Sequence, residues 1–280
     1  MIIRVPASSA NLGPGFDALG MALSRYAEVG FVDHGLPDGA HVADEHHPAS
    51  IAFARSGGRR PIWVRTDIPM GRGLGYSGAV RVAGAIAAHL EGTDPDGDHD
   101  ALLASFDDVL AVTSELEGHA DNVAVSIYGG VVATAAGRAI PLPMAVDPTV
   151  VVWVPSFTTR TDASRAMLPE TVQMSDATFN IGRVALLVAA LCSGDVGALR
   201  AATEDRLHQH LRLTKAEPSK AAMDAALDAG AWCTWLSGSG PTVAAMCSPE
   251  RADAIIGQLP AGGAAMAMRI DHAGASVEAS

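Results

Sequence analysis

Lysine is almost missing from this chain: Lys215 and Lys220 are the only two in 280 residues. That excludes a Walker A phosphate loop, which puts a lysine directly after its glycines. It also leaves no strand lysine for a protein-kinase arrangement. Basic charge is scarce overall, with Lys+Arg 19 against Asp+Glu 31 and a formal charge of -12. General nucleic-acid binding needs a basic surface and is argued against. A nucleotide needs only a local positive pocket plus metal, so the acidic balance does not exclude it. Cysteine is limited to Cys192, Cys233 and Cys247, with no spacing suited to zinc and no even set for a disulfide framework. A reducing compartment follows. Long apolar runs are missing too. The longest, Val184 to Cys192, is too short to cross a bilayer, and the N-terminus has no signal-peptide core. A cytoplasmic protein without a membrane partner is expected.

What is abundant is glycine, and its placement organises the reading. Residues 67–79 read Asp-Ile-Pro-Met-Gly-Arg-Gly-Leu-Gly-Tyr-Ser-Gly-Ala, between a strand expected at 62–65 and a small-residue helix expected at 78–90. Gly71, Gly73 and Gly75 permit positive φ and close approach of backbone to a ligand. A glycine loop running into a helix start presents unpaired N–H groups and the positive end of the helix dipole, which suits an anion. Ser77 can cap that helix or offer its hydroxyl to a phosphate-bound Mg²⁺. Equally, the segment can be a turn that only links strand to helix. With no lysine nearby, a phosphate here would be neutralised by backbone N–H groups, Mg²⁺ and Arg72.

Length and a 49% hydrophobic content allow one large domain or two ordinary ones. Residues 2–5 read as a strand, and 6–23 as a turn followed by an apolar helical phase. Asn11 and Asp17 are the polar groups in that glycine-rich stretch, fit for a turn and a helix cap as well as for a site. A second strand is expected over 25–32, and helices over 46–55 and 100–117. The acidic stretch 94–100 reads as a solvated loop without the bidentate Glu of a calcium site. Glu115 and Glu117 end the 100–117 helix, where a carboxylate opposes the dipole unless a cation compensates. Glu115 is a candidate metal ligand, with Glu117 the competing choice. Asp121 is a candidate substrate contact, and His119 reads as a structural group in the turn. Residues 141–147 look like a junction, dividing the chain into 1–146 and 147–280. Beyond it the order is strand (149–154), helices (177–199 with a break at 193–194, and 218–229), strand (232–235), strand, helix (250–259) and strand (264–270). That is an α+β layer with helices on one face of a sheet. Residues 206–212 supply basic side chains for a carboxylate or phosphate. His208 and His210 are two apart and do not suit a metal pair.

Three segments resemble the GHMP kinase superfamily in the right order: Val-Pro-Ala-Ser-Ser-Ala-Asn-Leu-Gly-Pro-Gly-Phe-Asp-Ala-Leu-Gly at 5–20, Pro-Met-Gly-Arg-Gly-Leu-Gly-Tyr-Ser-Gly-Ala at 69–79, and Leu-Ser-Gly-Ser-Gly-Pro-Thr at 236–242. The first is similar to the homoserine kinase branch, as are Glu-Gly-His-Ala-Asp-Asn-Val at 117–123, Gly129-Gly130, and Thr-Asp-Ala-Ser-Arg-Ala-Met-Leu-Pro at 161–169. The resemblance implies a two-domain α+β fold, its first half ribosomal-protein-S5-domain-2-like and its second ferredoxin-like, with the active site in the cleft between them. It implies transfer of the ATP γ-phosphoryl group to a small alcohol, most simply L-homoserine. Pro69, Gly71, Arg72, Gly73, Leu74, Gly75, Tyr76 and Ser77 would hold the nucleotide, and Ser77 and Glu115 the Mg²⁺. Asn11, Asp17, Asp121 and Asn122 would line the amino-acid pocket, with Asp17 and Asn122 at the chemistry. Arg165 and Arg212 would bind the carboxylate, and Gly238, Ser239 and Gly240 would form a third glycine loop. The partner is a small molecule, and a homodimer is left open.

Departures from the family pattern bear on that expectation, among them the residues after Arg212, which do not follow the usual pattern. Tyr76 stands where a serine is usual, putting a large ring where it would stack on or crowd the nucleotide. Gly78 replaces a small alanine, and His210 a common proline. A different small hydroxy acid, or a non-catalytic metabolite-binding relative, stays as an alternative. An RNA-binding module is disfavoured by the charge.

Overall fold

The computed structural model describes residues 1–93, 99–158 and 161–278. The acidic stretch at 94–98 lies outside them. Strands β1 (Ile2–Ala10) and β2 (Leu19–Phe31) form an antiparallel pair that seeds the first sheet. After β3 (His41–Val42) come α1 (Pro48–Arg55) and β4 (Ile62–Thr66). Three helices follow, α2 (Tyr76–His89), α3 (His99–Glu117) and α4 (Asp121–Tyr128), and then the hairpin β5 (Val131–Ala135) and β6 (Arg138–Leu142). The second half opens with β7 (Thr149–Pro155), α5 (Thr161–Ala166), α6 (Met174–Ser193), α7 (Leu199–Ala202), α8 (Gln209–Leu213) and α9 (Glu217–Asp228). It continues through β8 (Cys233–Leu236), β9 (Val243–Cys247), α10 (Ala252–Ile256) and β10 (Gly263–Arg269), and β11 (Ser276–Glu278) closes the chain.

The first sheet runs β11-β1-β2-β4-β3, with β5 and β6 joined through β2. β2 pairs with β1 along its length, and its other edge is split between β5 at 19–21 and β4 at 27–31. A register shift at Pro6/Ala7 provides the bend that makes this split feasible. The second sheet, β10-β7-β9-β8, is antiparallel throughout. One continuous core of buried side chains joins the two sheets, including Ile3, Leu23 and Val29 from the first and Val152, Trp235 and Met246 from the second.

α2 is the central helix of the first half, with ten of its fourteen residues buried. Its small side chains let α1 approach closely: a Cβ on Gly84 would overlap the Ala49 carbonyl. Ridges of alanine leave the helix backbone near the sheet, so its N-terminus is held firmly at the end of the layer.

The second half carries the α+β layer expected of it. Four differences from the sequence reading stand out. Residues 19–23 continue β2 rather than forming a helical phase, because that apolar run is buried on both faces and its period carries no signal. Residues 138–142, partly assigned to the junction, form β6 on β5. The 250–259 helix is shorter, a 3₁₀ turn at Pro249–Arg251 leading into α10. The last residues do not stay with the second half, since β11 returns to pair Ile2 with Glu278 and Arg4 with Ser276.

Among the described residues α6 is the one helix long and apolar enough to cross a membrane, at mean hydropathy 1.3. It packs on the core through Leu187, Ala190 and Leu191.

The two halves are fastened by a directed chain of hydrogen bonds. Trp235 Nε1 donates to Ser9 Oγ at 2.9 Å, and the Ser9 and Ser237 hydroxyls lie 2.7 Å apart. Ser237 Oγ donates to the Gly73 carbonyl at 2.6 Å. A hydroxyl has one proton, so Ser9 must donate to Ser237. Ser9→Ala leaves the buried Trp235 N–H without its acceptor. The expected cost is about 1–3 kcal/mol of unfolding free energy, measured by urea denaturation, because unpaired buried donors carry their full desolvation penalty.

Candidate active site

The glycine loop at 71–75 delivers the chain to the N-terminus of α2, where Gly75 takes φ 70° and no side chain caps the helix. A Cβ on Gly75 would overlap Ser8 Oγ, so the position admits only glycine. Free N–H groups and the dipole's positive end therefore open into a cleft of about 360 Å³ between the halves. Gly71, Arg72, Gly73, Gly75, Tyr76 and Ser77 line one wall. Pro69 and Leu74 do not line it. Leu74 is buried, and its carbonyl accepts from Ser8 N at 3.1 Å. Arg72 reaches across to donate to the Pro155 carbonyl.

The two glutamates at the end of α3 have different surroundings. Glu115 points to solvent and pairs with Arg55 at 2.9 Å, outside the cleft. Glu117 lines the cleft, and Ser77 Oγ donates to its Oε1 at 2.5 Å. The expectation that Glu115 stands beside Ser77 is corrected: the carboxylate that meets the Ser77 hydroxyl is that of Glu117. The reason is helical phase: two residues rotate a side chain by about 200° around an α-helix, so only one of the two can face α2. Arg81 Nε also donates to Glu117 Oε1, at 2.5 Å, and to Ser77 Oγ, at 3.2 Å. Among the described residues no group of three His, Cys, Asp or Glu is arranged to hold a metal. A hydroxyl beside a single carboxylate at a helix N-terminus fits a Mg²⁺ that draws its remaining ligands from phosphates and water.

Tyr76 does not crowd the cleft as expected. Its ring is buried, and its hydroxyl meets His47 Nε2 at 3.1 Å. His47 Nδ1 accepts from Ala49 N at 3.2 Å and caps α1. Burial, followed by nearby His41, holds His47 below the usual histidine range. A neutral ring accepting at Nδ1 carries its proton on Nε2 and donates to the tyrosine oxygen.

The rest of the lining comes from the 11–17 turn, the start of α4 and the second half. Asn11 and Asp17 both take positive φ, 72° and 55°. Asn11 Oδ1 accepts from Asp17 N at 3.1 Å and its Nδ2 donates to the Gly238 carbonyl at 2.9 Å, locking the turn to the third glycine loop. Asp17 and Arg165 form a two-pronged pair, each bond 2.8 Å. This pairing holds Arg165 above the usual arginine range, the hydrogen bond being the largest cause. Arg212 is buried. Its Nη1 donates to Gly238 O at 3.1 Å and to His208 Nδ1 at 3.0 Å, while its Nε is buried with no partner. Asp121, almost wholly buried, accepts from Asn122 N at 2.9 Å and pairs with His119 Nδ1 at 2.6 Å. That bond raises the His119 pKa. Asn122 Oδ1 accepts from Ser8 Oγ at 2.8 Å. Gly238 and Ser239 line the cleft, whereas Gly240 lies behind them.

The cleft thus gathers Asn11, Asp17, Asp121, Asn122, Arg165 and Arg212 with the glycine loop, Asn122 lying against Gly75 and Gly78. Sequence reasoning missed Phe16, Pro48, Met70 and the lining role of His119. Phe16 has both guanidinium carbons, of Arg165 and Arg212, 5.3 Å from its ring centre. Met70 carried the one visible signal, a large apolar residue inside a glycine loop, and it is 65% exposed.

His208 is the hidden element of this wall. Its Nε2 donates to the Gly13 carbonyl at 2.7 Å, so its Nδ1 is free to accept from Arg212. Burial pushes the ring below the usual histidine range, and the Arg212 charge adds to this against the pull of Asp205. The unfolded chain therefore binds a proton below about pH 6.5 that the folded chain refuses, and this contribution to stability declines as pH falls from there. Urea unfolding at pH 7.5 and 5.5 is expected to show a shallower pH slope for His208→Gln than for the parent. A residual slope from His47, which is depressed in the same direction, remains.

Comparison with known proteins gives two family matches: the GHMP kinases N terminal domain over residues 41–130 and the GHMP kinases C terminal model over residues 187–265. A homoserine kinase of Caldanaerobacter subterraneus subsp. tengcongensis is 35% identical over 275 residues, covering 91% of this chain and 85% of the relative. One from Streptomyces avermitilis is 39% identical over 297 residues, covering 98% and 94%. The crystal structure of homoserine kinase from Cytophaga hutchinsonii superposes with a TM-score of 0.81 at 27% identity, covering 99% of this chain and 96% of that one.

Proposed function

Because the chain belongs to the GHMP kinase superfamily, in its homoserine kinase branch, we propose that its cleft transfers the γ-phosphoryl group of ATP to the side-chain hydroxyl of L-homoserine. One observation carries this reading: an uncapped helix N-terminus with Ser77 and Glu117 faces a wall that holds Arg212 with a buried, unpartnered Nε. The first feature suits phosphates and the second an amino-acid carboxylate.

The division of labour follows from what each group can do. The N–H groups at the start of α2 would receive the phosphates and oppose their charge without moving. Ser77 Oγ and the Glu117 carboxylate would hold Mg²⁺, which would supply positive charge against the negative charge that develops on the transferring phosphoryl group. Arg212, with Arg165 beside it, would fix the substrate carboxylate, Phe16 setting the spacing of the two guanidinium groups. Asp121, Asn122 and Asn11 would complete the amino-acid pocket. Asp17 would orient the attacking hydroxyl or take its proton late. Phosphoryl transfer is largely positioning and charge neutralisation, so a strong base is not obligatory. The reading carries with it a cytoplasmic enzyme with a small-molecule partner, no nucleic-acid or membrane partner, and freedom to form a homodimer. The division at 146/147 belongs to it as well, with 276–278 returned to the first half.

A coupled ADP-release assay across homoserine, threonine, serine and related small alcohols is expected to show the highest kcat/KM with homoserine. Faster turnover of another alcohol keeps the kinase and discards the substrate; binding without ADP release discards the kinase. Glu117→Gln is expected to lower kcat severely, whereas Glu115→Gln, out on the surface, leaves it near the parent value.

Arginine variants test the carboxylate. A charge-assisted hydrogen bond is worth roughly 1.5–3 kcal/mol, so Arg212→Ala should raise KM for homoserine about ten- to a hundred-fold. KM for ATP should change little, and Arg212→Lys should rescue only part, lacking the planar fork. Equal preference of parent and variant for the acid over its carboxamide would remove the assignment.

A further inference from the structure

Arg81 has no part in the reading above, yet it sits at its metal position. It lies one helical turn after Ser77 on α2, with its side chain 17% exposed and that of Glu117 13% exposed. Its Nε donates to Glu117 Oε1 at 2.5 Å, the same oxygen that accepts from Ser77 Oγ at 2.5 Å, and it also reaches Ser77 Oγ at 3.2 Å. Both oxygens assigned to a Mg²⁺ are thus already engaged by one guanidinium.

The chemistry of that arrangement is competitive. A carboxylate oxygen offers two lone pairs, and on Oε1 both have donors. A divalent cation that takes Oε1 must displace one of them, and one that takes Oε2 must settle beside the charge of the guanidinium. Ser77 is itself a ligand candidate, so the donor that leaves is Arg81. The surrounding charge explains why a resident cation is useful there. Asp17, Glu117 and Asp121 converge on the cleft, and lysine is absent from it. Asp17 is paired by Arg165 and Asp121 by His119, which leaves Glu117 to Arg81. Like charges held close disfavour one another, and a fixed guanidinium relieves that while no nucleotide is present.

The geometry points to Arg81 as a positioning residue: an internal counter-ion that holds Glu117 and Ser77 in place before ligands bind and yields the carboxylate to the metal when the nucleotide arrives. It thereby sets how strongly metal and nucleotide bind together. Arg81 touches neither substrate nor reacting atoms in this role. The inference rests on the assignment of Ser77 and Glu117 to the metal.

Calorimetric titration of the full chain with a non-hydrolysable ATP analogue, with excess Mn²⁺ and with no divalent ion, gives the readout as the ratio of the two affinities. No turnover is needed. Arg81→Met, which keeps length and loses charge, is expected to raise that ratio roughly tenfold, the equivalent of losing one charge-assisted competitor. Arg81→Gln, which can still hydrogen-bond Glu117, should rise in the same direction, and Arg81→Lys should stay near the parent. Thermal melting confirms that each variant is folded. A merely structural role for Arg81 would move both affinities together and leave the ratio unchanged. Glu117→Gln separates the two ideas. If it collapses the ratio while Arg81→Met and Arg81→Gln leave it unchanged or lower it, the Arg81 inference is overturned and the metal assignment stands. If Glu117→Gln leaves the ratio intact, the metal assignment fails and the Arg81 inference fails with it.

Discussion

The hydrogen-bond chain from Trp235 through Ser9 and Ser237 to the Gly73 carbonyl is the constraint on which the cleft depends. Each member is buried or nearly so, and the proton order admits one direction only. Trp235 stands on the second sheet, Ser9 on the first, and Gly73 in the phosphate-loop candidate. One line of donors therefore fixes the distance between the halves and the position of the loop at the same time. Water cannot substitute inside it without opening the core, so the loop is held by tertiary structure rather than by its own glycines. Its glycines make the path sterically open; the chain makes it singular.

Around that frame the cleft is a balance of charge in an acidic protein. Its cations are all arginine or histidine, and most are already matched: Arg165 with Asp17, Arg81 with Glu117, His119 with Asp121. Arg72 and Arg212 are the exceptions: Arg72 donates to the Pro155 carbonyl, and Arg212 is held by the Gly238 carbonyl and a neutral His208 with its Nε unpaired. A buried guanidinium without a carboxylate costs stability, which is why burial lowers the Arg212 pKa. A site that keeps such a group is arranged for an anion it does not itself supply. Matched pairs keep the rest of the cleft near neutral in the absence of ligand, and they can be exchanged one by one as ligands bring their own charges.

Local chemistry made much of this legible in the sequence. Glycines at 71, 73 and 75 before a small-residue helix announce a close backbone approach, and the structure puts positive φ at all three. The strand–helix order of the second half follows from β-branched runs and glycine breaks, with α6 ending at Gly194 in the left-handed region. Residues 19–23 escaped because burial on both faces erases the alternation that marks a strand. β11 escaped because three residues carry no pattern of their own and exist as a strand only against β1.

The site divides along the same line. Sequence alone determined which residue types were present, where the backbone could turn, and that lysine could not neutralise a phosphate. Only tertiary structure decided that Glu117 rather than Glu115 meets Ser77, since the choice depends on how α3 is rotated against α2. It also decided that Tyr76 turns to His47, that His208 holds Arg212, and that Arg81 shares the carboxylate. These are contacts between elements far apart in the chain. Their partners are selected by packing angle and helical phase, which no local stretch of sequence encodes.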